Sequence, residues 1–206
     1  KELVFKDAAD VCAKLKNDLY KKSGQAATEI VVGLPPSFVK CISLNEKFKR
    51  DDPDKKINSE EIKKINQNLS DLAYQKLISN KELKDKNLES IGPYFGQFSI
   101  NGYDVDEILN KNGSEIEVNF TASFMSKSDK DFLNHILTKN LALPIKKILF
   151  SPLETAKRYA LNNPLSCAIM AYVAQKSSAL FLINKGLILH AETMPEGFLQ
   201  ITKEGS

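Results

Sequence analysis

The chain reads Ala179-Leu-Phe-Leu-Ile, Asn184-Lys-Gly and Leu187-Ile-Leu-His-Ala in direct succession. Two apolar runs on either side of a short turn that contains Asn and Gly predict a β-hairpin. Another apolar run begins at Cys167 and reaches this hairpin through a small polar turn, and Pro195-Glu-Gly follows the hairpin. The region is therefore expected to form three successive strands.

Strands and helices alternate in the segment before this hairpin. Ile116, Val118 and Phe120 occupy every second position of residues 114–125, which is typical of a strand. Beyond it the sequence predicts, in order, a helix over 130–140, a strand over 145–150 and a helix over 151–161. This alternation indicates a layered α/β core.

The first half of the chain predicts a smaller unit of strands and helices. The expected elements are, in order, a helix over 6–22, strands over 29–34 and 38–44, a helix over 59–78 and a strand over 94–100. Val11, Leu15 and Leu19 form part of an apolar stripe on the first helix, which is therefore amphipathic. The second helix is expected to pack on a sheet made by the two strands before it. Residues 45–56 are highly charged and predict an exposed loop.

Composition excludes several functional classes. The 29 Lys and Arg residues nearly balance the 26 Asp and Glu residues, so the chain lacks the basic stripe of a nucleic-acid-binding protein. Cys12, Cys41 and Cys167 lack C-x-x-C spacing and lie in apolar runs, which predicts reduced, buried thiols in a cytosolic protein. No apolar run is long enough to span a bilayer. From the first residue, Lys1, and the last two, we expect a fragment of a longer protein.

The sequence gives no support for catalysis or metal binding. His135 and His190 lack a second histidine or cysteine at ligand spacing. No Gly-x-Ser-x-Gly elbow is present to expose a nucleophile, and Asp104 and Asp106 alternate like solvated positions. We therefore predict no catalytic residue and no metal site.

Four aromatic residues cluster around the third strand of the first half: Tyr94, Phe95, Phe98 and Tyr103. Because successive side chains of a strand point to opposite faces, Tyr94 and Phe98 are expected on one face and Phe95 on the other. Core packing is the default role for such residues. The alternative is that one face binds a partner, since exposed aromatics often anchor interfaces, and these four are our candidate partner-binding residues.

Several short motifs resemble, in order and spacing, the central part of bacterial actin-like ATPases, especially the cell-division protein FtsA and its pilus-assembly relative PilM. Ile30-Val-Val-Gly-Leu-Pro-Pro resembles the entry strand of that family, and Ile57-Asn-Ser-Glu-Glu-Ile resembles a helix start. The later matching segments are Phe98-Ser-Ile-Asn-Gly-Tyr, Glu117-Val-Asn-Phe-Thr-Ala, Ile148-Leu-Phe-Ser-Pro-Leu-Glu-Thr-Ala and Gly197-Phe-Leu-Gln-Ile-Thr. The resemblance covers nearly the whole chain.

This resemblance implies a mixed α/β fold: part of an actin-like (ribonuclease H-like) lobe with an inserted small strand-helix-strand-strand α+β subdomain. It assigns residues 1–25 and 106–206 to the partial core lobe and residues 26–105 to the inserted interaction subdomain. The first phosphate loop of the family is expected before Lys1, and most of its adenine-binding lobe after Ser206. The remaining part is the one that the family uses for contacts with neighbouring subunits and other machine components.

The hairpin also resembles the second phosphate hairpin of this family, where a strand ends in Asp-Ile-Gly-Gly-Gly-Thr-Thr-Asp. The aligned residues here are Tyr172 and Ala179 at the aspartates, Ala174, Gln175 and Lys176 at the glycines, and Ser177 and Ser178 at the threonines. Glycines let turn amides approach phosphate, and the aspartates position the metal. The nucleotide site is therefore predicted to be degenerate, with Lys176, Ser177 and Ser178 as remnant cofactor-binding residues.

The resemblance implies a non-catalytic scaffold without a cofactor, acting in cell division or in pilus or secretion-machine assembly. One alternative is an ATPase that binds ATP and Mg²⁺ through contacts outside this chain, and another is a stand-alone adaptor that does not polymerise. Expected partners are protein subunits of a division or pilus machine, with self-association as a further option, and no nucleic acid. The expected location is the cytoplasm, at the inner face of the cytoplasmic membrane only through partners or missing segments.

Overall fold

The structure is a computed structural model that describes residues 2–79 and 87–199. The elements within these ranges are, in chain order, α1 (Glu2–Ser23), β1 (Ile30–Leu34), β2 (Lys40–Lys49), α2 (Ser59–Ile78), β3 (Leu88–Ile100), β4 (Tyr103–Val105), β5 (Glu115–Ser126), α3 (Lys127–Leu141), β6 (Ile145–Phe150), α4 (Ser151–Asn162), β7 (Cys167–Val173), β8 (Ser178–Asn184) and β9 (Leu187–Met194).

The strands form three sheets. β1 pairs in parallel with β6, and β7, β8 and β9 form an antiparallel sheet of consecutive hairpins. The largest sheet has the order β2-β5-β3-β4, and all its pairs are antiparallel. Helices pack against these sheets, so the mixed α/β fold class predicted from the sequence is confirmed.

The predicted hairpin is present as β8 and β9. Asn184 pairs with Leu187, and two residues connect them. Lys185 has φ of 49° and Gly186 has φ of 78°. Two successive positive φ angles define the type I′ turn, whose twist matches that of the strands it joins.

The prediction that the first two strands share a sheet is wrong. β1 pairs with β6, whereas β2 pairs with β5. The apolar side of α2 faces the β2-β5-β3-β4 sheet, where Leu69 and Phe120 are at most 1% exposed. Leu72, which belongs to the apolar pattern of α2, is 43% exposed.

The region predicted as an exposed loop is partly strand and partly anchored. Residues 45–49 continue β2. Arg50 then holds the following turn, since its side chain is only 5% exposed. Its guanidinium donates to Glu61 Oε1 at 2.6 Å, to the Gly113 carbonyl at 2.8 Å and to the Lys55 carbonyl at 2.8 Å.

Helix α1 buries a side that differs from its apolar stripe. Val11, Leu15 and Leu19 are 55%, 54% and 62% exposed. A neighbouring side of α1 packs on α3 instead, where Lys16 Nζ donates to the Leu141 carbonyl at 2.6 Å. The apolar stripe is therefore left on the surface.

Buried side chains form two clusters. One lies between α2 and the β2-β5-β3-β4 sheet, and the other joins α3, α4, β6 and the β7–β9 sheet. The boundaries predicted for the core lobe and the inserted subdomain stay a prediction. β1, from the predicted insert, pairs with β6, and β5, from the predicted core lobe, pairs with β2 and β3.

The edges of two sheets meet where β2 runs beside β9. The Ala191 N–H donates to Ser43 Oγ at 2.7 Å, and the Cys41 N–H donates to Thr193 Oγ1 at 3.3 Å. Ser43 Oγ also lies 2.7 Å from Thr121 Oγ1, which is fully buried. Side-chain hydroxyls thus link the two sheets at positions where a ladder would use backbone carbonyls.

The cysteines differ in exposure. Cys41 is buried, Cys12 is half-buried and Cys167 is exposed, so the prediction of buried thiols is wrong for Cys167. Burial raises the pKa of the Cys41 thiol to about 12. None of the described helices combines the length and the apolar character that crossing a membrane requires.

Candidate functional site

The turn between β7 and β8 is the part of the structure that corresponds to the predicted phosphate turn. The Ala174 N–H donates to the Ser177 carbonyl at 2.9 Å and closes it. Gln175 and Lys176 form the exposed tip, whereas Ser177 and Ser178 are each 4% exposed. The two predicted hydroxyl groups therefore lie beneath the turn and away from solvent.

The segment after β9 packs against this turn. The Phe198 N–H donates to the Ala174 carbonyl at 2.9 Å, and the Leu199 N–H donates to the Gln175 carbonyl at 3.1 Å. Residues 196–199 are thus tied to the turn through their backbone. This arrangement brings the Pro195-Glu-Gly motif to the phosphate-like turn.

Gly197 fills the space in front of the turn amides. A Cβ on residue 197 would lie 2.6 Å from the Lys176 nitrogen and 2.6 Å from the Ala174 carbonyl oxygen, closer than real Cβ contacts. Residue 197 must therefore be glycine for the two segments to approach. The inner side of the turn contacts the protein's own backbone.

The remnant cofactor residues have different surroundings. Ser178 Oγ donates to the Glu196 carbonyl at 2.7 Å. Ser177 Oγ is buried without a hydrogen-bond partner among the described residues. Lys176 is exposed. The structure brings these three residues together, and their role in nucleotide binding stays a prediction.

The aromatic residues of β3 are divided by a β-bulge. The β3–β5 register shifts between Phe95 and Gln97. Phe95 and Phe98 consequently share one face, with ring centroids 5.7 Å apart, and Phe95 lies 5.3 Å from Phe120 in the α2-side core. The prediction that Tyr94 and Phe98 share a face is wrong, because strict alternation does not hold across a bulge.

Tyr94 lies on the opposite side of β3. Its ring packs against the second core, 5.1 Å from Lys157 Nζ, which is a cation–π distance. Burial raises the pKa of Tyr94, partly offset by a hydrogen bond to the Ile188 backbone. Tyr103, in β4, is 78% exposed. Tyr103 is therefore the member of the predicted aromatic set that is most accessible to a partner.

Gly96 explains the bulge. A Cβ on residue 96 would lie 2.5 Å from Asn119 Oδ1 and 2.6 Å from the Ile188 carbonyl oxygen. β3, β5 and β9 meet at this point. A glycine inside a strand often marks a bulge or a close approach of backbones, so Gly96 is the residue of the sequence that signals this bulge.

Acidic residues follow Tyr103 in the chain and line the cavities at this end of the sheet. An open cavity of about 530 Å³ is lined by Asp104, Val105, Asp106, Glu107 and Lys111. A second cavity, of about 420 Å³, lies on the outer face of the large sheet and includes Asp104 and Glu117. The β3–β4 end of this sheet is therefore open, polar and predominantly acidic. Among the described residues, no group of three or more His, Cys, Asp or Glu side chains has the arrangement of a metal site.

No protein-family model matches this chain, and no curated protein matches it. A solved structure described as a "PilM-PilN type IV pilus biogenesis complex" is similar to it, with a TM-score of 0.55 and 11% sequence identity. The similarity covers 93% of this chain and 49% of that chain, so this chain spans about half of the length of its structural neighbour. The protein therefore has a mixed α/β fold similar to that of this PilM–PilN structure.

Proposed function

We propose that this chain is part of a PilM-like protein and acts as a non-catalytic scaffold that binds other protein subunits of a pilus-type machine. The observation that carries the proposal is the fold similarity to the PilM–PilN structure over 93% of the chain. The ordered motifs between Ile30 and Thr202 add support from the sequence. The scaffold would work in the cytoplasm at the inner face of the membrane, with residues 26–105 as the interaction subdomain.

The phosphate-like turn supports a non-catalytic role. The amides of Lys176 and Ser177 lie against Gly197, and Phe198 and Leu199 donate to turn carbonyls. A phosphate group approaching these amides would displace residues 196–199. That displacement would break two backbone hydrogen bonds, each worth about 1 kcal/mol.

The surface around Tyr103 supports binding through protein contacts. An exposed aromatic ring beside Asp104, Asp106 and Glu107 offers an anchor with an acidic rim. Opposite charge on a partner speeds association and sets orientation. The proposed partner surface would therefore carry Lys or Arg around an apolar recess.

Calorimetric titration of ATP and Mg²⁺ into the complete protein tests the scaffold role against the ATPase alternative. We expect no saturable heat up to about 1 mM, a concentration that corresponds to about −4 kcal/mol of binding free energy. Micromolar binding that weakens in Lys176→Ala or Ser177→Ala, together with phosphate release, would establish the ATPase. Glu196→Ala is the control, since its side chain is exposed beside the same turn.

Site-specific photocrosslinking in the native cell tests the partner surface. A benzophenone amino acid at position 103 is expected to crosslink to a defined protein subunit. The same group at position 165 is the matched control, because Leu165 is also exposed, at 94%, and precedes β7. If both positions crosslink to the same proteins, or position 103 crosslinks to none, the surface around Tyr103 does not bind the partner.

A further inference from the structure

The exposed face of the β7–β9 sheet is apolar on β7 and β8 and carries His190 and Glu192 on β9. Ile169 and Val173 on β7 are 75% and 50% exposed, and Leu182 on β8 is 40% exposed. Ile169 is paired with Leu182, so the two side chains share this face. The other face carries Phe181 and Ile183, which are fully buried in the core.

The stripe on α1 is the second exposed apolar surface. Val11, Leu15 and Leu19 are spaced four residues apart, which places them along one side of the helix. All three are more than half exposed. Within one copy the stripe and the sheet face therefore do not cover each other.

The two surfaces match in shape. A sheet face and the apolar side of a helix pack against each other in layered folds. From Asp7 to Lys22 the helix extends about 23 Å at 1.5 Å per residue. The seven residues of β7 also extend about 23 Å at 3.3 Å per residue.

The charges at their ends are complementary in one direction. Asp7 lies one turn before Val11, and Lys22 lies one turn after Leu19. On the sheet, Lys185 lies at the β8–β9 turn, whereas Glu192 lies toward the opposite end. Glu196 and Lys176 also lie at that opposite end. His190 lies nearer the middle of β9, and its Nε2 is 3.9 Å from Oε2 of Glu192. When the start of the helix lies over the β8–β9 turn, Asp7 approaches Lys185 at one end. Lys22 then approaches Glu192 at the other end.

We propose that α1 of one copy of this chain docks, through Val11, Leu15 and Leu19, on the exposed β7–β9 face of a second copy. The surfaces differ, so the contact is heterologous and each copy keeps one free stripe and one free face. Repetition produces open-ended chains of copies. A single helix on a three-stranded sheet is a small interface, so the association is weak and depends on concentration.

Sedimentation velocity of the complete protein over a concentration series tests this contact. We expect the average mass of the wild type to rise continuously with concentration. Leu15→Glu places a charge in the stripe, and Ile169→Glu places one in the sheet face. The association constant of each variant alone is therefore expected to be at least about tenfold lower than that of the wild type. Both positions are exposed, and far-ultraviolet circular dichroism checks that the variants remain folded.

Mixing the two variants provides the decisive measurement. The Leu15→Glu copy keeps an intact face, and the Ile169→Glu copy keeps an intact stripe. An equimolar mixture should therefore form dimers and stop there. Leu165→Glu is the control, because Leu165 is 94% exposed but precedes β7, and this variant should associate like the wild type.

Three results would overturn the proposal. A wild type that stays monomeric at every concentration would show that these surfaces do not join copies of the protein. A mixture that remains monomeric would show that stripe and face do not bind each other. Association of Ile169→Glu alone at wild-type strength would indicate a symmetric contact between two stripes.

Discussion

Gly197 lies directly against the amide of Ser177, with no room for a side chain between them. The contact joins the segment after β9 to the β7–β8 turn. It packs the inner side of the phosphate-like turn against residues 196–199, whereas Gln175 and Lys176 remain exposed.

Gly197→Ala is expected to lower the free energy of unfolding by about 1–3 kcal/mol, because the added methyl group must push the turn away. Urea unfolding followed by circular dichroism measures the change. Glu196→Ala should change stability by less than about 0.5 kcal/mol, since that side chain is exposed. Equal stability of both variants would contradict the close packing of these segments.

Arg50→Ala should destabilise the protein by about 3 kcal/mol, because it leaves Glu61 and two backbone carbonyls without their donor. Arg50→Lys should recover only part of this loss, since an ammonium group lacks the planar fork of guanidinium. A double-mutant cycle with Glu61→Gln isolates the pair. An additive cycle would show that the 2.6 Å contact contributes nothing.

Phe95→Ala should cost about 2 kcal/mol of stability, because the ring packs on Phe98 and Phe120. Tyr103→Ala should leave the melting temperature within about 2 °C, because the side chain is 78% exposed. Differential scanning calorimetry distinguishes these outcomes. A large loss for Tyr103→Ala would mean that Tyr103 has a structural role.

Stability should fall in alkaline solution because of Cys41. Its pKa is 9.0 ordinarily and about 12 in the folded protein, so the folded state favours the protonated thiol. This contribution is fully present below pH 9 and is lost as pH rises toward 12, at up to about 1.4 kcal/mol per pH unit. The raised pKa of Tyr94 acts in the same direction.

Urea unfolding at pH 8 and pH 10.5 measures this effect. Cys41→Ala should lose less stability between these two values than the wild type does. Cys167→Ala, at an exposed position, should keep the wild-type dependence because it retains Cys41. Identical pH dependence in all three proteins would remove Cys41 as the source.

The sequence predicted local structure well and distant pairing poorly. β8 and β9 form a hairpin as predicted, since the turn and both strands are adjacent in the chain. β1 instead pairs with β6, more than 100 residues away, and no local pattern encodes such a partner. The stripe of α1 had the spacing of a core face, yet periodicity shows only that a helix has an apolar side.

The candidate site was predicted in outline. The substitutions at the turn glycines were visible in the sequence, and the structure places Ser177 and Ser178 together at that turn. The covering role of Gly197 was not visible, because it depends on contact between segments 20 residues apart in sequence. Face assignments in β3 failed because a one-residue bulge at Gly96 reverses the alternation beyond it.

The hydroxyl of Ser43 serves two neighbours at once, the Ala191 N–H and the hydroxyl of Thr121. Loss of this oxygen would leave the buried Ala191 N–H without its acceptor on one sheet and the buried Thr121 hydroxyl without its partner on the other. Homologous chains are therefore constrained to keep a small hydroxyl at position 43 or to alter positions 43 and 121 together. Correlated substitution at these two sites is the evolutionary signature that this junction should leave.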